Sequence, residues 1–543
     1  MRKSLQHFAC LLSLPVLLGC DQLLAGTDGG TSPDGGESTP ALTVTVNLSS
    51  PVGPVRDVFG VNKTPRLALK SGGAVDATRL YTAFGVSQVR MHDVGISPCS
   101  LYKDATVRDP SVSPPRVVTG CNFPDIVKRR SWTVNDPSKV DDPANYDFSE
   151  VDALLAAASR TGARIYLRIG ANDFGGPNDT EDVTSFARVS VNLYRHVIGQ
   201  FKPGPTSYDP AYVEVGNEPD GAFWRGDAAD FISAYNLMVD GVRAAAAQAG
   251  KTVQVGGAGF TKEVLAKFSE AGNVANGFAA GVTAGRLEFF SAHHYDDCSA
   301  ATLSNAATFL TSLRAQLKSQ GLASVPLHLT EWNIGLGNKC DAGDFSSPQS
   351  QSFASGVLSL LQEESWNVQA AHFYAGMPPM SLFESGGATG TVGINVSPSA
   401  WALRAHSGLK GGTRLLTQVC EEGTCSPVPL NAGAPLMAVA VKRATAGYRV
   451  IVTNDSDEEK AFTLKFTGTE ATGVNGATVR RPPSSSVAVE GTVTNGAFTP
   501  TDASVSAVLA TEVASPVTFT ASGLDRVAEL TIAARSLLVV DVP

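Results

Sequence analysis

Two glutamates stand out, because each follows a short apolar run and precedes residues that break it. Glu218 lies in Tyr212-Val213-Glu214-Val215-Gly216-Asn217-Glu218-Pro219-Asp220, and Glu331 in Leu327-His328-Leu329-Thr330-Glu331-Trp332-Asn333. If the runs are strands, both carboxyls sit at strand carboxyl ends, the end that carries the chemistry in a parallel α/β barrel. Two carboxyls facing one another are the minimal equipment for breaking a glycosidic bond. One stays protonated and gives its proton to the leaving oxygen, while the other is ionised and attacks or activates water. Pro219 cannot donate to a sheet ladder, so its strand is predicted to end at Glu218. Asn217 beside it offers an amide to a sugar hydroxyl.

Other polar residues fall at predicted strand ends with the parity of an inward face. Arg90 and His92 share one parity, and His293 and Tyr295 share another. Adjacent residues on a strand point to opposite faces, so His293 and His294 cannot both face inward, and His293 is preferred. Each of these residues has a structural alternative, packing or an ion pair. Glu214 reads as a barrel-interior carboxylate, Glu288 lies at the wrong end of its strand, and the role of Glu384 is open.

The elements that must position these residues alternate in type. Apolar runs near Val58, Val86, Ile165, Val213, Val253, Phe289, Leu327 and Ala371 read as strands separated by helical patterns. The clearest helix has Ser149 as its predicted N-cap, Val151, Leu154, Leu155 and Ala158 at helical spacing, and Gly162 as its stop. Eight such units predict a (β/α)8 TIM barrel over residues 57–410. Residues 95–145, rich in proline and polar residues, read as a long loop at the strand ends, with Trp132 and Lys128-Arg129-Arg130 within it. Beyond residue 410 the texture changes to alternating Val-, Thr- and Ala-rich segments, predicting a C-terminal β-sandwich over residues 411–543. That region holds no His or Trp and is expected to carry no chemistry. The strand-like residues 41–56 are expected to join the sandwich.

On these residues the chain resembles the clan A glycoside hydrolases, and most closely glycoside hydrolase family 39, which contains β-xylosidases and α-L-iduronidases. The resemblance covers roughly residues 59–409. It rests on Val89-Arg90-Met91-His92, Tyr146-Asp147-Phe148-Ser149, Glu214 to Asp220, Ser291-Ala292-His293-His294-Tyr295 and Leu329-Thr330-Glu331-Trp332-Asn333. It implies a retaining mechanism with Glu218 as acid/base and Glu331 as nucleophile, and a hydrogen bond from Tyr295 to the nucleophile. Trp332 and Tyr374 join the expected sugar-binding set. The chain departs from the family pattern at Gly216, where many members carry tryptophan, and at Phe373-Tyr374, where they carry Tyr-Trp. The Gly-Asn-Glu-Pro spelling is also similar to family 79, the glucuronidase and heparanase group. That similarity keeps an acidic polysaccharide open as substrate, and a carbohydrate-binding lipoprotein on an inactive barrel is the non-enzymatic alternative.

The 543 residues carry a net charge of -9, which gives no support to nucleic-acid binding. The expected partner is an oligo- or polysaccharide, and no metal or cofactor is expected, since no CxxC or HxxxH spacing occurs. At the N-terminus, Arg2 and Lys3 precede an apolar stretch over residues 8–18. Leu17-Leu18-Gly19-Cys20 resembles a bacterial lipobox, with lipid on Cys20. Residues 1–20 are therefore expected to be a signal segment, or an ordinary secretion signal if the lipobox is unused, and residues 21–40 a flexible tether. Setting Cys10 and Cys20 aside leaves six cysteines. Of 15 possible connectivities, the local choice is Cys99–Cys121, Cys298–Cys340 and Cys420–Cys425. These readings place the mature chain in the bacterial envelope, or secreted.

Overall fold

Eight short strands close into a parallel barrel in chain order: β1 (Gly60–Asn62), β2 (Gln88–Arg90), β3 (Arg164–Ile169), β4 (Tyr212–Val215), β5 (Gln254–Phe260), β6 (Phe290–Tyr295), β7 (Leu327–Asn333) and β8 (Val368–Phe373). The computed structural model describes residues 42–543 except 69–72, 94–95, 110–115, 119–130, 172–181, 222, 225, 283–284, 299–301, 337–339, 342, 379, 386–392, 422–423, 428–435 and 495. The expectations for the signal, the tether, Cys20, Cys121 (hence Cys99–Cys121) and Lys128-Arg129-Arg130 lie outside the described residues. The barrel strands are almost wholly buried, because helices cover one face and the barrel interior fills the other. This is why they read as continuous apolar runs in the sequence.

Helices return the chain between strands, from Thr78–Ala83 after β1 to Pro398–Ser407 after β8. Several start on side-chain caps. Asp182 accepts from the Ser185 N–H, Thr302 from Asn305, and Ser347 from Ser350, which satisfies N–H groups that lack an intrahelical partner. The first helix after the long insertion, Ser149–Arg160, begins one residue earlier than predicted, with Phe148 rather than Ser149 at the N-cap and no side-chain cap, and Gly162 takes up a left-handed backbone (φ 75°) just past its end. No described helix is long and apolar enough to cross a membrane.

The insertion after β2 holds a short helix (Pro98–Leu101) and a three-stranded antiparallel sheet of Ala105–Asp109, Arg116–Val118 and Ser131–Val134. Trp132 is not a sugar platform. It is 3% exposed and packs edge-on between Tyr102 and Phe186, pinning the insertion to the helix Val183–Val197.

The C-terminal β region is one eleven-stranded, mostly antiparallel ladder folded over a second apolar core. Leu42–Pro54 lies inside it, antiparallel to Thr413–Glu421 and parallel to Lys460–Thr467. Its alternate residues Leu42, Val44, Val46 and Leu48 point into that core. Strand Leu436–Lys442 is apolar on both faces. Leu436, Ala438 and Ala440 fill the second core, while Met437, Val439 and Val441 pack on the barrel side. There they meet the helix Pro348–Leu360, whose serines permit close approach. Ser355 Oγ lies 2.6 Å from Thr453 Oγ1, and Ser352 Oγ donates to Asp455.

Two strands from the C-terminal part cross to the barrel. Val487–Val489 pairs with Ile394–Val396, and Ala497–Pro500 runs parallel to Ala74–Asp76. Both partners belong to loops after β8 and β1, at the end of the barrel that carries the glutamates. Cys298 and Cys340 form one disulfide, with Cα atoms 5.7 Å apart, and Cys420 and Cys425 form another across a hairpin.

Candidate active site

Strand β4 ends at Val215, three residues earlier than the proline alone suggested. Gly216 (φ 95°) and Glu218 (φ 47°) both take left-handed backbone, turning the chain across the barrel mouth. The Glu218 N–H donates to the Gly259 carbonyl at 2.7 Å. Asp220 accepts from the Thr261 N–H (3.0 Å) and hydroxyl (2.6 Å), which fastens the turn to the end of β5. Gly216 is the position where tryptophan was the family expectation. A Cβ there would lie 2.9 Å from the Phe231 ring and 3.3 Å from Ala258, so the turn has no room for a side chain.

Glu331 projects inward from β7 into a fixed set of donors. Arg90 Nη1 donates to its Oε1 at 2.8 Å, and the Tyr295 hydroxyl donates to Oε2 at 2.6 Å. His92 Nε2 lies 3.4 Å from Oε1. Arg90 is wholly buried and makes three further hydrogen bonds, to Glu214 (2.7 Å), Asn62 (2.8 Å) and Asn217 (2.8 Å). Its guanidinium therefore lies beneath the cleft as a strut joining β1, β2, β4 and β7, and the expectation that it touches sugar is corrected. All its donors are turned to protein. It sets the Asn217 amide by holding the carbonyl oxygen.

His293 bridges the two carboxyls. Its Nδ1 is 2.9 Å from Glu218 Oε1 and 3.5 Å from Glu331 Oε2. One carboxylate oxygen from each glutamate and a ring nitrogen of His293 all lie within 4.8 Å of one another. Tyr374 follows β8 half-buried, edge-on to His92 and Tyr295 with ring centres 5.4 and 6.0 Å away. His92, Tyr295 and Tyr374 thus form one aromatic side of the site.

The two carboxyls experience opposite fields. Burial raises Glu218 above the ordinary glutamate value and the neighbouring Glu331 charge adds to it, while His293 pulls the other way. Burial also works to raise Glu331, but His293, Arg90 and the Tyr295 hydrogen bond outweigh it and hold the carboxyl below its ordinary value. His293 is raised, since its two carboxylate neighbours overcome desolvation, whereas His92 is held down by burial and by Arg168, Arg90 and Lys63.

Trp332 does not line this space. It is 1% exposed and packs edge-on against Phe373 in the main core. Its neighbour Glu331 takes the inward face, so alternation along the strand sends the indole outward. His294 likewise stacks on Phe309, away from the carboxyls. Glu288 accepts from the Val255 N–H and pairs with Arg243 at the amino end of the barrel. Glu384 lies in the short strand Phe383–Ser385, paired with Asn395, where partial burial lifts its carboxyl.

Sequence reading missed Asn62, which donates to the Thr330 carbonyl (2.8 Å) and accepts from Arg90. The polar end of the run Gly60-Val61-Asn62 was its only signal. It also missed Asp93, next after His92, which accepts from the Thr64 N–H and hydroxyl and is pushed up to about 6 by burial.

No protein-family model matches the chain, and no curated protein matches its sequence. Solved structures do. A glucosidase from Croceicoccus marinus is 17% identical, with 93% of this chain and 99% of that one covered at a TM-score of 0.61. An α-L-arabinofuranosidase from Thermotoga maritima is 14% identical, with 92% and 99% covered at 0.59. The GH39 enzyme from Xanthomonas axonopodis pv. citri is 16% identical, with 94% and 99% covered at 0.55. The chain thus shares, over nearly its whole length, the barrel-plus-β fold of these clan A glycosidases.

Proposed function

We propose that the chain is a retaining glycoside hydrolase in which Glu331 is the nucleophile and Glu218 the acid/base. The observation that carries this is the convergence of the two carboxyls, with oxygens within 4.8 Å, in fields that push one up and the other down. That approach suits the spacing of about 5–5.5 Å in retaining sites better than the roughly 6.5–9.5 Å that leaves room for an inverting water. Glu218, kept protonated by burial, gives its proton to the glycosidic oxygen as the carbon–oxygen bond breaks. Glu331, ionised in the grip of Arg90 and Tyr295, bonds to the anomeric carbon. Glu218, now a carboxylate, removes a proton from water, which displaces Glu331 and releases the sugar. His293 touches both carboxyls and is placed to balance their charges as the proton leaves and returns. Tyr374 offers the aromatic surface that tryptophan supplies in many relatives.

The structural neighbours include a glucosidase, arabinofuranosidases and a β-xylosidase, so the reading extends to neutral hexosides and pentosides. Acidic glycans form a second reading, favoured by the positive charge of Lys63 and Arg168 acting on His92. Aryl xyloside, glucoside, arabinoside and glucuronide separate these. The two disulfides support an oxidising compartment, in keeping with an envelope lipoprotein anchored through Cys20.

The deciding experiment is azide rescue. Glu331→Ala should lose turnover on every substrate, because no glycosyl-enzyme can form. Glu218→Ala should keep its first step on activated aryl glycosides, and azide should restore turnover with retained configuration. Inverted azide product from Glu218→Ala would reverse the roles. Unchanged hydrolysis in both variants would remove the catalytic reading and favour the carbohydrate-binding alternative.

A further inference from the structure

The end of the barrel opposite the glutamates carries a second polar cavity. Gly85 leads into β2, and Ser407 and Gly408 close the helix that returns from β8, so all three lie at the amino ends of the strands. Together with Arg449 and Arg480 from the C-terminal sheet they line a cavity of about 360 Å³, within the range of about 300–1,000 Å³ typical of small-molecule sites. Three guanidinium groups, Arg404, Arg449 and Arg480, converge there.

The local anions do not balance them. Arg449 is paired through Nε and Nη2 with Asp541 (2.7 and 2.9 Å), and Arg480 Nε shares that carboxylate at 3.1 Å. Glu512 is the second anion, but it stands 3.6 Å from Arg404 and 3.5 Å from Arg480, beyond good hydrogen-bonding distance. Arg443 adds a fourth cation 3.8 Å from Asp541. Four cations thus share two carboxylates. Arg404 Nε is buried with no hydrogen-bond partner among the described residues, an arrangement that is costly unless something else fills it. Burial, together with the charges of Arg449 and Arg480, holds Arg404 below its ordinary value despite Glu512. A side chain at Gly408 would strike Arg449 Nη1, so glycine there leaves the guanidinium its place at the cavity wall.

We propose that this cavity binds an oxyanion, a carboxylate, sulfate or phosphate group on a small molecule, through Arg404 and Arg480, with Arg449 fixed by Asp541 as the wall. Planar guanidinium forks suit such groups, which accept two parallel hydrogen bonds each. The site joins barrel to β region, so its occupancy ties the two together at the end remote from the cleft.

The test is titration calorimetry and thermal melting of the full chain with sodium phosphate, sodium sulfate and sodium glucuronate, each against sodium chloride at equal ionic strength. The expected result is saturable binding near one per chain and a melting temperature that rises with the oxyanion but not with chloride. Response to phosphate and sulfate alone assigns the site to a tetrahedral anion, and response to glucuronate assigns it to a sugar acid. Arg480→Gln and Arg404→Gln should each weaken binding on the order of tenfold or more, while Arg480→Lys, which keeps the charge but not the fork, should fall between. Arg480 is 40% exposed in its side chain, so its variants test the site even if Arg404→Gln does not fold. Absence of any response beyond chloride in the unaltered protein, or equal affinity in the Arg480 variants, overturns the proposal.

Discussion

At the scale of single residues, burial lifts both glutamates and His293 works against it on each. His293 is a cation-leaning group 2.9 Å from one carboxyl and 3.5 Å from the other, and it pulls both downward. Activity in the proposed mechanism needs Glu218 protonated and Glu331 ionised. The rate should therefore rise through the lowered Glu331 value and fall as pH climbs through the raised Glu218 value. Removing a positive neighbour makes each carboxyl easier to protonate, so His293→Asn should move both limbs of the kcat/KM profile to higher pH. A profile whose limbs stay put or move down would mean that His293 is neutral and only packs. His293 and Tyr295 were legible in the sequence because alternation along one strand sets their face. The same alternation sends Trp332 outward, since it stands beside the inward Glu331. Gly216 was legible only as a departure; its left-handed turn against Phe231 requires three-dimensional knowledge.

At the scale of elements, Arg90 is the tie between strands. It joins Glu214 and Glu331 and two asparagines from a fully buried position. Breaking a buried ion pair from one side leaves a charge without its partner, a cost of roughly 3–5 kcal/mol. Arg90→Met should lower stability by that order in urea unfolding, and Arg90→Met with Glu214→Leu should recover most of it, since apolar replacement of a whole pair is often neutral. The double variant should nevertheless stay well below normal activity, because Glu331 keeps His293 but has lost the charge and the hydrogen bond of Arg90, both of which hold it ionised and in place. Recovery of activity with stability would show that Arg90 serves the fold alone. The eight barrel strands were all visible in the sequence, because burial on both faces writes itself as apolar runs. Their ends were less visible. Val215, rather than Glu218, closes β4 because two left-handed residues override the simple reading of a proline stop.

At the scale of the whole molecule, the C-terminal part is woven into the barrel. Val487–Val489 and Ala497–Pro500 brace loops beside the cleft, and strand Leu436–Lys442 covers the helix Pro348–Leu360, buried from Ser350 to Leu360. A chain cut after residue 410 would keep both glutamates yet expose that helix. It should be recovered as aggregate by size-exclusion chromatography; a monodisperse, active fragment would show that the barrel folds without the β region. Composition revealed the change from barrel to β texture, but not the crossing strands, since pairings between distant short segments leave no periodic signature. The placement of Leu42–Pro54 also bears on how the chain is made. This strand leaves the ribosome before the rest of its sheet: its antiparallel partner Thr413–Glu421 and its parallel partner Lys460–Thr467 follow roughly 400 residues later, on the order of 20–80 s at ordinary synthesis rates. Until Thr413–Glu421 has been made, an alternating, half-apolar strand has no ladder to join. The β region can close only after nearly the whole protein has been synthesised, so its maturation must be post-translational, with the nascent segment dependent on whatever shields it until then.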